Sequence, residues 1–182
     1  MPHNLMFLLR CSRLDGEEHA LGVVEKTLQQ MYRGWIFDHI GFGFSRYSTD
    51  EKWLAPHFEK MLYDNALLVI AYLEAFQMTG RALYRSVAER TLEYIEREMT
   101  DGEGGFYSAQ DADSDGEEGL YYLFSKKEVV DLLGVTDGTR FCEFFDITES
   151  GNFENGSIPN MIRNNEFERI PENLAGMLPR LY

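Results

Sequence analysis

Residues 57 to 66 read His57-Phe58-Glu59-Lys60-Met61-Leu62-Tyr63-Asp64-Asn65-Ala66 and run straight into Leu67-Leu68-Val69-Ile70-Ala71. A polar string thus opens a segment that soon becomes apolar on every side. A surface helix keeps a polar stripe along its length, whereas a helix that is apolar all round is buried. Burying His57, Glu59, Tyr63, Asp64 and Asn65 costs free energy unless each meets a partner. The string therefore predicts either a fold-specifying polar network or a site, on a helix spanning His57 to Gln77.

An internal repeat supplies the architecture. Residues 16 to 28 superpose on 80 to 92: Gly16 falls on Gly80, Val23 on Val87, Glu25 on Glu89, Thr27 on Thr91 and Leu28 on Leu92. Repeats of this period are stacked supersecondary units. The unit here is a helical hairpin. Asn4 to Arg13, a turn at Leu14-Asp15-Gly16 and Glu17 to Arg33 make the first. His57 to Gln77, a turn at Met78-Thr79-Gly80 and Arg81 to Met99 make the second. The second helix of each pair carries a helical apolar stripe, Leu21, Val24, Leu28, Met31 in one and Tyr84, Val87, Ala88, Leu92, Ile95 in the other. Asp15 with Glu18 has the spacing of an N-cap and its returning carboxylate. The expectation is an all-α, two-layer fold in which inner, nearly all-apolar helices are wrapped by outer amphipathic ones.

Two excursions interrupt the helices. Residues 35 to 56 hold Gly41-Phe42-Gly43-Phe44, and residues 102 to 124 hold Gly104-Gly105-Phe106-Tyr107 and Gly119-Leu120-Tyr121-Tyr122. The second reads as two short strands around a turn. Each follows an outer helix, so both are expected on one rim, where helical scaffolds build their sites. Beyond residue 125 the pattern predicts a capped helix from Ser125 to Leu133, another at Arg140 to Phe145, a polar loop over 148–165 and a last helix near Glu172.

Charge and composition exclude several roles. The 182 residues are 44% hydrophobic, ample for one packed domain, and 31 acidic against 17 basic residues leave a net charge of -14. Such a surface repels nucleic acid and anionic membranes. No apolar run approaches the ~18 residues of a membrane span. Cys11 and Cys142 share no metal-ligand or disulfide-type spacing, which suits a reducing, cytoplasmic compartment.

The candidate site residues follow from the rim. His57 brings an imidazole, the side-chain type suited to general acid or base work, and Asp64, two helical turns on, would share its face. Tyr63 and Asn65 flank them as packing and network residues. Asp111, Asp113 and Asp115 followed by Gly116 imitate a calcium loop, but position twelve is Tyr122 where that loop needs Glu. No metal is expected. Asp111 or Asp113 is instead placed on the pocket rim near His57 and Asp64. Tyr47, Trp53, Phe106 and Tyr107 offer aromatic faces, with Glu59, Tyr63 and Gln110 as polar contacts.

The strings His57 to Ala66 and Gly105-Phe106-Tyr107-Ser108-Ala109-Gln110-Asp111-Ala112-Asp113-Ser114, with Gly151-Asn152-Phe153-Glu154 and Met1-Pro2-His3-Asn4-Leu5, closely resemble the YyaL-like, spermatogenesis-associated protein 20 family. That resemblance implies an (α/α)6 toroid of the six-hairpin glycosidase class, similar to sugar epimerases and glycoside-cleaving enzymes, joined in the family to a thioredoxin-like domain. Ser45 departs from the pattern, standing where many relatives have His. Twelve helices need roughly twice this length, so residues 1–182 are expected to form the first half of the toroid, without the thioredoxin-like domain. An uncovered apolar face and self-association are the corollary. Two functions fit: a sugar-acting hydrolase or epimerase, with His57, Asp64, Asp111 and Asp113 as acid/base groups and no cofactor, or a non-catalytic scaffold for a thioredoxin-like redox domain.

Overall fold

The computed structural model describes all residues except Met1, Lys52, Leu54, Ala55, Asp115, Glu154 and Asn155. Asp115 of the calcium reading and Glu154 of the family string therefore lie outside the described residues.

Two helical hairpins form the body. Helices α1 (Pro2–Asp15) and α2 (Glu18–Arg33) make the first, and α3 (Leu62–Thr79) and α4 (Ala82–Glu98) the second. The repeat shows in how each first helix stops. Gly16 and Gly80 take left-handed φ values of 72° and 69°. Their N–H groups donate back to the Ser12 and Phe76 carbonyls, the glycine-closed end that a Cβ would strain.

Helices α1 and α3 lie side by side, each packed against its own hairpin partner. α2 and α4 meet across the other layer, where Arg81, just before α4, and Tyr84 on α4 both donate to the Glu25 carboxylate on α2. Tyr72 of α3 reaches the α2 main chain, its hydroxyl donating to the Leu28 carbonyl at 2.7 Å. One apolar core runs through both layers, from Leu5 and Leu9 through Leu28, Tyr72 and Tyr84 to Phe141 and Phe145. The protein is thus mostly helical and two-layered, as the repeat predicts.

The C-terminal part adds α5 (Lys126–Leu133) and α6 (Val135–Phe144), packed on each other, then α7 (Glu172–Ala175) and α8 (Leu178–Leu181). Ser125 caps α5 through a reciprocal box with Glu128, as its sequence predicts. The 148–165 loop is polar in sequence, yet Ile158 and Met161 are buried in it. Asn152 holds it together, pairing with Ile158 N–H and with the Asp146 and Ile158 carbonyls.

Three expectations fail. α3 begins at Leu62, not at His57. Residues 56–61 are instead extended, because they pair with other segments. β1 (Tyr47–Ser48) pairs antiparallel with β2 (Pro56–His57), and β3 (Lys60–Met61) pairs with β4 (Ala109–Gln110). Asp15 does not cap α2; it is the last residue of α1, and Glu17 occupies the cap position without a side-chain bond. Finally, α3 is not buried on every side as its apolar run alone suggests, and it carries an uncovered apolar face of the kind also expected above. Tyr63, Ala66, Ile70 and Leu73 form an exposed stripe at helical spacing, and Phe7 and Leu14 of α1 are exposed as well.

Asn65 ties this architecture together. Fully buried on the first turn of α3, it accepts from Phe44 N–H at 2.7 Å and donates to the Phe44 and Met61 carbonyls. Asn65→Ala should destabilise the fold by about 2–4 kcal/mol, since it leaves buried main-chain groups unpaired. Urea denaturation that shows less than about 1 kcal/mol of loss would refute this role.

Candidate functional site

The two aromatic excursions do meet on one rim, and the pairing of β3 with β4 is what joins them. Arg46 N–H donates to the Glu59 carbonyl and Leu62 N–H to the Ser108 carbonyl. A third short ladder, β5 (Asp113–Ser114) with β6 (Glu117–Glu118), lies between the two aromatic runs of this excursion rather than in them, and Leu120–Tyr122 is a 3-10 turn and not a strand.

Beneath this rim lies an ion pair that the sequence analysis did not single out. The Lys60 side chain is 2% exposed and its ammonium donates to Asp38 Oδ2 at 2.8 Å and to the Phe42 carbonyl at 2.7 Å. It sits over the rings of Tyr94 and Tyr122, at 4.6 and 5.0 Å from their centroids. The other oxygen of Asp38 accepts from Ile40 and Gly41 N–H, both at 2.9 Å. Every charge in the cluster is matched, so it organises the 38–44 turn and offers no reactive group. One signal was present: Lys60 stands among the apolar residues Phe58, Met61 and Leu62, and a lysine drawn inside by such neighbours has to meet an acid.

Next to it are Trp35 Nε1 and both ring nitrogens of His39, buried side-chain atoms without a hydrogen-bond partner among the described residues. The two side chains line one void of about 10 Å³ with Asp38, Ser45, Phe58 and Tyr122. Burial, reinforced by Arg90, pushes the His39 imidazole down to about 3, so it is neutral at ordinary pH.

A wider cavity runs along the 45–50 segment and shares Ser45 with this void. It has a volume of about 320 Å³ and is lined by Pro2, Met31, Ile36, Leu68 and residues 45–48 of this segment, with Asp50, Trp53 and Asp64. That volume is at the small end of ligand sites. Of the expected site residues, Tyr47, Trp53 and Asp64 share it. Asp50, which the sequence analysis passed over, supplies its second carboxylate. Asp64 is partly desolvated, which raises its carboxyl above the usual range, with Arg46 pulling the other way.

The remaining candidates are spread along the rim. His57 does not face Asp64 from the same helix, because it lies in β2; its Nδ1 is 3.0 Å from Glu118 Oε1, and the Tyr47 ring meets it edge-on at 5.1 Å. Glu59 is engaged by Arg46 at 2.9 Å. Gln110 accepts from the Tyr94 hydroxyl at 2.7 Å. Tyr107 donates to Asp101, and Phe106 and Tyr63 are exposed. Asp111 and Asp113 are exposed on the β4–β5 segment and are not among the residues lining the cavity. Among the described residues no group of three His, Cys, Asp or Glu side chains is arranged to hold a metal, and no helix is long and apolar enough to cross a membrane.

Fold and rim together describe a helical-hairpin protein with an aromatic, two-carboxylate cavity at the ends of its helices. Spermatogenesis-associated protein 20 of Homo sapiens is 45% identical to it over 73% of this chain, and that of Mus musculus 44% identical over 74%. A Caenorhabditis elegans protein named "Uncharacterized protein B0495.5" is 34% identical over 86% of the chain. The chain belongs to the same family as spermatogenesis-associated protein 20 over the segment it spans, which is 19% of the length of those mammalian relatives. No family model matches the chain.

The desolvation of Asp64 makes a signed prediction. With its folded-state pKa above the unfolded value, the ionised carboxylate burdens the fold at neutral pH, and the burden lifts as pH falls through that raised pKa. Asp64→Asn should therefore melt higher than the parent at pH 7, with the difference shrinking on acidification. A Tm difference that stays flat or widens between neutral and acid pH refutes it.

Proposed function

We propose that the chain forms a carbohydrate-binding site, part of a sugar-acting hydrolase or epimerase, in the cavity between Tyr47, Trp53, Asp50 and Asp64. The single observation that supports this most is that two aromatic rings and two carboxylates line one cavity of about 320 Å³. Sugar rings bury their C–H faces on aromatics and hydrogen-bond carboxylates with their hydroxyls. Glycoside cleavage works with two carboxyl groups, one held protonated. The environment of Asp64 favours its protonated form. His57, Asp111 and Asp113 stand at the rim, where acid/base residues for a larger ligand would be needed. The family resemblance, with its six-hairpin glycosidase-type toroid, points the same way.

Trp35 and Trp53 are the only tryptophans, so Trp35→Phe leaves Trp53 as a reporter on the cavity. Titration with glucose, N-acetylglucosamine and maltose should change its emission saturably, and Asp64→Asn should weaken that response at least tenfold. No response to any of the three sugars would sink the proposal.

A second reading, a non-catalytic scaffold for a thioredoxin-like domain of the longer relatives, is favoured by one observation. The Tyr63, Ala66, Ile70, Leu73 stripe leaves α3 an apolar face in solvent, and such faces are contact surfaces. Alone, the chain should self-associate through it. Analytical ultracentrifugation should show oligomers that Ile70→Glu with Leu73→Glu converts to monomer; a monomeric parent at all concentrations would contradict this.

A further inference from the structure

We propose that Glu118 is a positioning residue that holds His57 in its Nδ1–H tautomer and so presents Nε2 as a basic atom at the rim, ready to take a proton from a ligand hydroxyl. A carboxylate accepts and does not donate. At 3.0 Å from Glu118 Oε1, in hydrogen-bonding geometry, Nδ1 therefore carries the proton. In the neutral ring this leaves the lone pair on Nε2, and once Nε2 has gained a proton the carboxylate faces the full imidazolium charge. This carboxylate–imidazole arrangement is the usual way to orient a proton-transferring histidine.

The contact is built, not incidental to two exposed side chains. The His57 main chain is fixed by pairing with Tyr47 across β1 and β2. Phe58, the next residue, is buried and stacks on Tyr122 with ring centroids 5.2 Å apart and planes 12° from parallel. Gly119, adjoining Glu118, lies flat under the Phe58 ring, with φ of +77° and only 2.3 Å between an added Cβ and that ring. The 118–122 segment is thus seated on 57–60, which sets Glu118 beside the imidazole although 61 residues separate them in sequence. A half-exposed pair of this kind contributes little to stability, so stability does not explain it. Tyr47, which lines the cavity, also meets the imidazole edge-on; His57 is one side chain removed from the proposed sugar.

The inference rests on the carbohydrate reading only for the identity of that hydroxyl, and its test needs no ligand. In the full chain labelled with 15N-histidine, His57 is identified by the loss of its signals in His57→Gln, and ring nitrogen shifts are read at mildly alkaline pH. The parent should show a protonated Nδ1 and an unprotonated Nε2. Glu118→Ala should shift the tautomer ratio about tenfold toward Nε2–H, while Glu118→Gln, whose amide oxygen still accepts, should recover part of the parent pattern. His39 and His19 signals should stay in place, reporting an intact fold. A parent already dominated by the Nε2–H form, or a pattern unmoved in Glu118→Ala, overturns the assignment. A chain that binds none of the sugars leaves this result as it stands and removes only the carbohydrate reading.

Discussion

The buried pair of Lys60 and Asp38 is the interaction on which the rim depends. An ammonium so enclosed survives only with its hydrogen-bonding capacity filled, and here Asp38, the Phe42 carbonyl and two tyrosine faces fill it. Asp38 in turn gathers Ile40 and Gly41 N–H with its second oxygen. One ion pair thereby closes the 38–44 turn and locks it to β3. Since β3 leads into α3 and pairs with β4, the same contact fixes where the second hairpin starts and where the second excursion attaches. Replacing either partner alone would strand a buried charge, the costliest defect an interior can carry.

How far the sequence could be read follows from which forces are local. Helix ends set by neighbouring residues were legible: Gly16 and Gly80 as left-handed stops, Ser125 with Glu128 as a capping box. Where a distant segment competes, local reading fails. His57 to Met61 has no strand pattern of its own; it is extended because residues 47–48 and 109–110 come to pair with it. The apolar run after Ala66 likewise suggests burial on all sides, but which side of α3 is covered depends on neighbours that no local pattern encodes.

The site divides along the same line. Tyr47, Trp53 and Asp64 are residue types suited to a polar ligand on a rim, and they line one cavity. Their partners were not legible, because partnership is a matter of three-dimensional approach. Glu118 reads in sequence as one more acid in a solvated turn, yet it engages His57. Asp50 carries no motif that singles it out in sequence, yet it lines the cavity with Asp64. Asn65 was expected to serve a network, and it does so because an amide alone offers the donor and acceptor that both main-chain groups of Phe44 require.

Among the described non-glycine residues, left-handed backbone occurs at one wall of the proposed cavity, Trp53, and at two positions outside it, Phe42 and Asp146, the last with φ of 55°. Phe42 and Trp53 are non-glycine residues with φ of 68° and 64°, conformations that cost on the order of 1–3 kcal/mol each and persist only where surroundings over-determine them. At Phe42 the compensation is visible: its carbonyl is turned toward the Lys60 ammonium. At Trp53 the carbonyl accepts from Trp35 N–H at 2.9 Å, and the chain packs onto Gly34, where an added Cβ would stand 2.6 Å from that of Trp53. The backbone there is held from beneath by a residue without a side chain, and the indole is left against the cavity. A relaxed backbone at this position would free the ring to move away, so the strain is spent on keeping an aromatic wall beside Asp64.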